Sequence, residues 1–162
     1  MTFTLRSIPL LSRVGADRAD EMRTDIDAAV AGWADAQLLR VDNRGNVVVT
    51  GDQVVLSPAA VVADKPPSDA VFLGRVQDGR HVWAVRGPLD GPEDPEARIV
   101  DPRRAGVDFD DVSAQLVTCA LALLNWHDNG RFSPADGNPT RPGSAGSDCR
   151  PPVKSVRRHA NS

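Results

Sequence analysis

The side chains that could perform chemistry are few and scattered along the chain. His81, His127 and His159 share no spacing that would place two of them on one face of a helix or strand, as metal binding or paired acid–base work requires. Ser12 and Ser113 lack the Gly-x-Ser-x-Gly context of an activated serine, so we expect them to serve turns or caps. The sequence predicts no catalytic residue of either kind.

An acidic cluster, Asp108, Asp110 and Asp111, is the nearest approach to a metal site. Carboxylates in the first turn of a helix are also favoured by the helix dipole. Because an apolar helical pattern follows directly, we interpret the cluster as a helix start rather than as a set of cation ligands.

The tryptophans and glycines could suggest a nucleotide site. Trp33, Trp83 and Trp126 each lie in an apolar pattern, however, and this favours core packing over stacking on a base. The glycines do not form the Gly-x-Gly-x-x-Gly turn of a dinucleotide-binding fold; those considered are Gly74, Gly79, Gly87 and Gly91. A Rossmann-type NAD site is therefore not predicted.

Composition indicates a small globular domain. The 162 residues are 41% hydrophobic and 25% charged, with a net charge of −3, so we expect no general attraction to nucleic acid or anionic membrane. No stretch approaches the roughly 20 apolar residues of a membrane span, and the N-terminus lacks a secretory cleavage pattern. With only two cysteines, Cys119 and Cys149, we expect a cytoplasmic protein.

Periodicity predicts the elements that must position these residues. We expect a helix from about Arg18 to Gly32 capped by Asp17. We also expect a hairpin joining 37–41 to 47–50 around the turn 42–46, whose Asn and Gly residues tolerate positive φ angles, and a second hairpin around Asp78-Gly79. Residues 87–102 are rich in proline and are interpreted as an irregular loop.

A second helix is predicted to begin at Asp108 or Asp110. Its apolar stripe is Val112, Leu116, Cys119, Leu123 and Trp126, with Ala120 and Leu124 beside it. The fold class is therefore α/β in the α+β sense, with a small, mostly antiparallel sheet of hairpins packed by two helices. A disordered C-terminal tail follows.

The chain changes character beyond Gly130. Five prolines and four glycines fall between Gly130 and Pro152, and residues 141–162 contain five Lys or Arg against one Asp. Low hydrophobicity with excess charge of one sign predicts disorder.

Several segments together resemble the NADH pyrophosphatases of the Nudix superfamily. They are Pro9-Leu10-Leu11-Ser12-Arg13 with Asp17-Arg18-Ala19-Asp20, the hairpin from Phe72-Leu73-Gly74 to Trp83-Ala84-Val85, and the helix from Ala114-Gln115-Leu116 to Trp126-His127. The resemblance implies an N-terminal α/β domain, followed in that family by a zinc ribbon and a catalytic Nudix domain.

The resemblance also implies metal sites whose ligands this chain lacks. The family pattern after Arg-Phe is Cys-x-x-Cys-Gly, and its two cysteine positions are Ser133 and Asp136 here. A makeshift set of His127, Asp136 and Cys149 is conceivable but disfavoured, so zinc is not predicted. The family's Arg-Glu-x-x-Glu-Glu string, which holds magnesium or manganese, is also absent.

The resemblance thus divides the chain into three parts. Residues 1–131 form the N-terminal domain, 132–142 a degenerate start of the zinc ribbon, and 143–162 a disordered basic tail that we expect to be read out of frame. We expect a fragment without cofactor or catalytic activity that acts as a scaffold, paired with itself or with a full-length family member. The alternative is a free-standing, non-enzymatic interaction module.

Overall fold

A computed structural model describes residues 16–17, 25–91, 94–105, 108–130, 141–142 and 149–150. Within these ranges the helices are α1 (Ile26–Ala31), α2 (Pro102–Ala105) and α3 (Asp111–Asn129), with a 3₁₀ turn at Ala59–Val61. The strands are β1 (Gln37–Val41), β2 (Val47–Thr50), β3 (Gln53–Val54), β4 (Ser57–Pro58), β5 (Val71–Arg75), β6 (His81–Arg86), β7 (Ala97–Val100), β8 (Arg141–Pro142) and β9 (Cys149–Arg150).

The mixed α/β class is confirmed, but the strands divide between two main sheets. One sheet has the order β4-β1-β6-β5 and the other the order β3-β2-β7. All pairings are antiparallel except β1 with β6, which run parallel. Strand β8, at the end of the predicted 132–142 segment, pairs with β9 in the predicted tail. The rest of that tail lies outside the described residues, so its disorder stays a prediction.

The first predicted hairpin is wrong. Its turn closes as expected, since the Asp42 N–H donates to the Asn46 carbonyl at 3.0 Å. The flanking strands nevertheless separate: β1 pairs with β4 and β6, whereas β2 pairs with β3 and β7. Leu38 and Leu39 point to opposite faces of β1 and both are fully buried. A strand buried on both faces belongs in the middle of a sheet, where a parallel neighbour is common.

The second predicted hairpin, β5 and β6, is confirmed. Gly79 has a φ of +83° in its turn, and the Asp78 carboxylate accepts the Arg80 N–H at 3.0 Å. The register shifts between Phe72 and Gly74, where Gly74 has a φ of +136°. Such a bulge needs a residue without a Cβ.

The interpretation of residues 87–102 as an irregular loop is wrong in part. Residues Ala97–Val100 form β7, which pairs along its whole length with β2. Four residues between prolines carry too weak a local signal to predict a strand. Residues 97–100 form a strand because the backbone of β2 lies beside them and forms a ladder of hydrogen bonds with them.

Helix α3 begins where predicted, since the Asp110 carboxylate caps it by accepting the Ser113 N–H at 2.6 Å. The buried face includes the predicted Leu116, Ala120 and Leu124, but it extends toward Ser113, Ala114 and Val117 rather than toward Trp126. It consists of Ser113, Ala114, Leu116, Val117, Ala120 and Leu124. Trp126, predicted to be in the core, is 43% exposed. The two alanines let the helix axis approach the sheets, and this favours the smaller face.

The first helix is shorter than predicted within the described residues. It spans Ile26–Ala31 and is capped by Asp25, whose carboxylate accepts the Ala28 N–H. Asp17, the predicted cap, forms an antiparallel backbone bridge with Arg75, with N–H to carbonyl distances of 3.0 and 2.7 Å, and its role as a cap stays a prediction. Residues 18–24 lie outside the described residues.

The core has two parts on opposite faces of the four-stranded sheet. One lies between both main sheets and α3. The other is aromatic: the Trp33 and Phe72 rings meet the Trp83 ring edge to face, with centroids 5.6 and 5.2 Å away. Core positions for Trp33 and Trp83 are therefore confirmed. No helix in the described ranges is long and apolar enough to cross a membrane.

Candidate functional site

A cleft of about 440 Å³ lies between β1, β4 and the outer face of the three-stranded sheet. We call this the intersheet cleft. Its walls are apolar and are formed by Leu38, Val48, Val55, Leu89 and Ala97. Its polar lining residues are Arg40, Thr50, Ser57, Asp90 and Asp94. The volume is in the range of small-molecule sites, which combine apolar walls with a few polar groups.

The polar groups of the intersheet cleft bind one another. Arg40 Nη1 lies 3.0 Å from Asp90 Oδ2, and the Thr50 hydroxyl lies 3.3 Å from Asp94 Oδ2. The Asp90 side chain is 80% exposed, so this ion pair is screened by water. The lining of the cleft contains no histidine or cysteine, and its one hydroxyl–carboxylate contact joins Thr50 to Asp94.

Arg86 forms a polar site that links three parts of the described chain. It lies at the end of β6, where its guanidinium donates to the Asp42 carbonyl at 2.8 Å and to the Asp128 carboxylate at 3.1 Å. It also donates to Asn125 Oδ1. Only 14% of its side chain is exposed. Because protein groups already occupy the guanidinium, Arg86 ties the 42–46 turn to the end of α3 and is not an open anion site.

The Asp42 carboxylate organises the turn between the two main sheets. It accepts the N–H groups of Arg44 and Asn46 at 2.8 and 2.7 Å, and the Asn46 side-chain amide at 2.9 Å. Burial raises the pKa of Asp42, but the hydrogen bonds from Asn46, Arg44 and Gly45 outweigh it. The pKa of Asp42 therefore lies below its ordinary value of 3.8.

The structure keeps the histidines considered above apart. His81 begins β6, and its Nδ1 lies 3.1 Å from the Ala29 carbonyl in α1. His127 lies in the last turn of α3, where its ring contacts Trp126 edge to face. His159 lies outside the described residues.

The serine and aspartate candidates have structural contacts. Ser113 is 4% exposed, and its hydroxyl accepts the Val54 N–H at 3.0 Å, which links α3 to β3. Asp110 caps α3 and accepts from the Gln53 amide at 3.2 Å. Ser12, Ser133 and Asp136 lie outside the described residues.

The described residues do not fit a metal ion. Within them no three His, Cys, Asp or Glu side chains come together as ligands. The carboxylate best placed in the acidic cluster, Asp110, already binds backbone and amide N–H groups. We therefore derive no chemical step through a cation held by this part of the chain.

Sequence reasoning missed the role of Arg86 and understated that of Asp42. The string Asp42-Asn43-Arg44-Gly45-Asn46 predicts a turn. It carries no sign that the Asp42 carbonyl would meet Arg86, because that contact depends on the fold.

Comparison with known proteins supports the family resemblance. Residues 27–126, more than half of the chain, match the family described as "NADH pyrophosphatase-like rudimentary NUDIX domain". The chain is 61% identical over 146 residues to proteins named NAD-capped RNA hydrolase NudC from Mycobacterium bovis (strain BCG / Pasteur 1173P2) and Mycobacterium tuberculosis (strain ATCC 25177 / H37Ra).

That alignment covers 89% of this chain and 47% of each relative, so the chain spans about half the length of the relatives it matches. The matched region contains both main sheets and nearly all of α3. An identity of 61% along most of the chain leaves no alternative fold family to consider. The chain belongs to the NudC-like NADH pyrophosphatases of the Nudix superfamily, of which it carries the N-terminal domain.

Proposed function

We propose that residues 1–162 form a non-catalytic part of a NADH pyrophosphatase and act as a scaffold that pairs with a second chain. The proposal rests on the extent of the two matches. The family model covers residues 27–126, and the alignment covers 47% of the length of each relative. In the intact parent, the reaction would split NADH, or the NAD cap of an RNA, into mononucleotides.

The lack of catalysis follows from the acidic residues that the chain contains. Nudix chemistry needs several carboxylates close together to hold magnesium or manganese against the pyrophosphate. Glu21, Glu93 and Glu96 are the three glutamates of the sequence, and none is part of an Arg-Glu-x-x-Glu-Glu string. Residues 1–162 therefore do not supply the carboxylates of that reaction.

The test is an incubation of purified protein with NADH and Mg²⁺, followed by separation of the nucleotides. We expect no AMP above the level of a buffer blank, while the NudC relative from Mycobacterium tuberculosis serves as the positive control. AMP release that co-purifies with this chain and scales with its concentration would overturn the proposal. Repeating the incubation with Mn²⁺ tests the second cation of the family.

The intersheet cleft and the exposed apolar residues beside it favour the second candidate, a free-standing interaction module. Both candidates lack catalysis, so they differ in what they bind. Mixing this chain with the full-length relative and measuring the mass of the complex separates them. A chain that pairs with itself or with the relative supports the scaffold role, whereas a chain that stays monomeric both alone and in the mixture supports a module with another partner.

We also propose that the basic tail is an out-of-frame reading and that the protein resides in the cytoplasm. Out-of-frame translation of GC-rich DNA gives the Arg, Pro, Ser, Ala and Gly mixture seen after about Gly143. Reading the coding DNA tests this: if no other frame downstream encodes the Nudix string, the out-of-frame proposal is wrong. Fractionation of cells tests the location.

A further inference from the structure

An aspartate that precedes a glycine can rearrange without an enzyme. The backbone nitrogen of the glycine attacks the side-chain carboxyl carbon, and a five-membered succinimide closes as the N–H hydrogen and the carboxyl hydroxyl leave as water. One water then opens the ring at either carbonyl. The product is aspartate again or isoaspartate, whose main chain runs through the side-chain carboxyl group. Glycine favours ring closure because it has no Cβ to restrict the backbone.

Two such sites lie in the described residues, Asp78–Gly79 and Asp90–Gly91. Asp136 also precedes a glycine but lies outside them. Both described sites contain the same reacting groups. Their rates in the folded protein therefore depend on what holds the backbone N–H and the carboxyl group in place.

Hydrogen bonds hold both reacting groups of the Asp78–Gly79 site. Gly79 N–H donates to the Val76 carbonyl at 2.9 Å. The Asp78 carboxylate accepts the backbone N–H of Arg80 at 3.0 Å and Nε–H of its guanidinium at 2.7 Å. These bonds from Arg80 lower the pKa of Asp78, so the protonated form that can release its hydroxyl is scarce. Ring closure at Asp78 must first break these contacts.

The Asp90–Gly91 site is held much less. Among the described residues no group accepts the Gly91 N–H, and the Asp90 carboxylate contacts Arg40 Nη1 alone, at 3.0 Å. The Asp90 side chain is 80% exposed, and an exposed ion pair of this kind is a weak restraint. Both groups that must meet are therefore available.

We propose that Asp90 is a site of spontaneous conversion to isoaspartate, and that it converts faster than Asp78 in the folded protein. Water is the only other reactant. The inference is independent of the proposed scaffold role and of the proposed lack of catalysis, because it concerns a covalent change in the chain itself.

A related site at Asn129–Gly130 reacts differently, since asparagine loses ammonia rather than water. It lies at the end of α3, where the Asn129 amide donates to the Asn125 carbonyl at 2.8 Å and Gly130 N–H donates to the Trp126 carbonyl at 2.7 Å. Its product also differs in mass from the starting chain, so it is not confused with isoaspartate at Asp90.

The conversion changes the lining of the intersheet cleft, which both Asp90 and Gly91 contact. Isoaspartate adds a methylene group to the main chain and leaves its free carboxylate directly on Cα. That carboxylate no longer extends from the backbone as the Asp90 side chain does, so we expect the contact with Arg40 to be lost. The shape and charge of the cleft then depend on the age of the molecule.

The test follows isoaspartate at both sites while the purified protein is incubated in warm buffer near neutral pH. Trypsin separates the sites, because residues 76–80 contain Asp78 and residues 87–98 contain Asp90 and Asp94. Proline follows Asp94, and its nitrogen has no hydrogen, so Asp94 cannot close the ring. Isoaspartyl peptides keep their mass but separate by chromatography and are identified by electron-transfer fragmentation.

In the folded protein the initial rate at Asp90 should exceed that at Asp78 by about tenfold or more, because hydrogen bonds at Asp78 must open first. In urea that unfolds the chain the two rates should converge, since both sites are then free. This comparison isolates the contribution of the folded structure.

Two glycine substitutions test the chemistry. Gly91→Ala should lower the rate at Asp90 several-fold, because the methyl group restricts the rotation that ring closure needs. Gly87→Ala is the matched control in the same loop and should leave the rate unchanged. A Cβ at either glycine meets no atom within 4 Å, and neither glycine has a positive φ, so both variants should fold.

Any one of four results would overturn the proposal. They are a folded protein in which Asp90 gains no isoaspartate, a folded protein in which Asp78 converts as fast as Asp90, a difference between the sites that persists in urea, and a Gly91→Ala variant that converts as fast as Gly87→Ala. AMP release from NADH would instead bear only on the proposed lack of catalysis.

Discussion

Replacing Asp42 with Asn should destabilise the protein at neutral pH and have little effect in acid. The Asp42 carboxylate accepts three hydrogen bonds, from Arg44 N–H and from the backbone and side chain of Asn46. The Asn side chain has the same shape but no charge, and hydrogen bonds to a charged group contribute roughly 1 kcal/mol more than neutral ones. After allowance for solvent screening, we expect a loss of about 1–2 kcal/mol in the free energy of unfolding at pH 7.

The pH dependence follows from the direction of the pKa shift. The pKa of Asp42 is lowered in the folded state from 3.8, so its contribution to stability is complete well above that value. The contribution is lost as the pH falls through the folded pKa, because the carboxyl must then be protonated in both states. The difference between wild type and Asp42→Asn should therefore shrink between pH 5 and about pH 3.

Urea unfolding followed by tryptophan fluorescence measures this difference, since Trp33 and Trp83 are buried and report on the core. Asp64→Asn is the control: Asp64 is exposed, and its substitution should change stability by less than about 0.5 kcal/mol. The reasoning is refuted if Asp42→Asn matches wild type at pH 7, or if the difference is as large at pH 3 as at pH 7.

Three further substitutions test the packing. Ser113→Ala removes the acceptor of the buried Val54 N–H and should lower the free energy of unfolding by about 1–3 kcal/mol; a loss under 0.5 kcal/mol would mean that another acceptor replaces it. Gly32→Ala places a Cβ 2.2 Å from Nδ1 of His81, whose ring is held against α1, and should lower the midpoint of urea unfolding by an amount equivalent to about 1–3 kcal/mol. An unchanged midpoint would show that the ring moves freely. Trp126→Ala should have an effect well below the roughly 3–5 kcal/mol of a buried aromatic, because Trp126 is 43% exposed; thermal unfolding by circular dichroism checks this, and a loss in the buried range would show that Trp126 packs in the core.

The sequence alone determined those features that depend on residues close to one another along the chain. The Asp78-Gly79 turn requires a positive φ at its glycine, and the structure has it at Gly79. The start of α3 requires a cap, and Asp110 provides it. The family resemblance could also be recognised from the sequence, because it rests on short strings of residues in a fixed order. The chain is 61% identical to its NudC relatives over 146 residues.

The tertiary structure decided which elements meet. The strands β1 and β2 are joined by a tight turn but separate into two sheets, because each gains a longer partner elsewhere. β7 is a strand only because β2 lies beside it. Such choices depend on competition among all strands for burial, which no local pattern records.

Competition for burial also determines which face of α3 lies against the sheets. Its sequence offers apolar residues around nearly half of the helix, and periodicity alone favoured the side with larger residues, including Trp126. The structure buries Ala120, predicted beside the stripe, together with Ala114 and Val117, and leaves Trp126 exposed. Small side chains allow a helix to pack closely against two sheets. A hydrophobic pattern in the sequence records only which residues are apolar and not how large they are. The residue types and their order were therefore enough to identify the domain, but only the tertiary structure shows which strands pair and which face of α3 is buried.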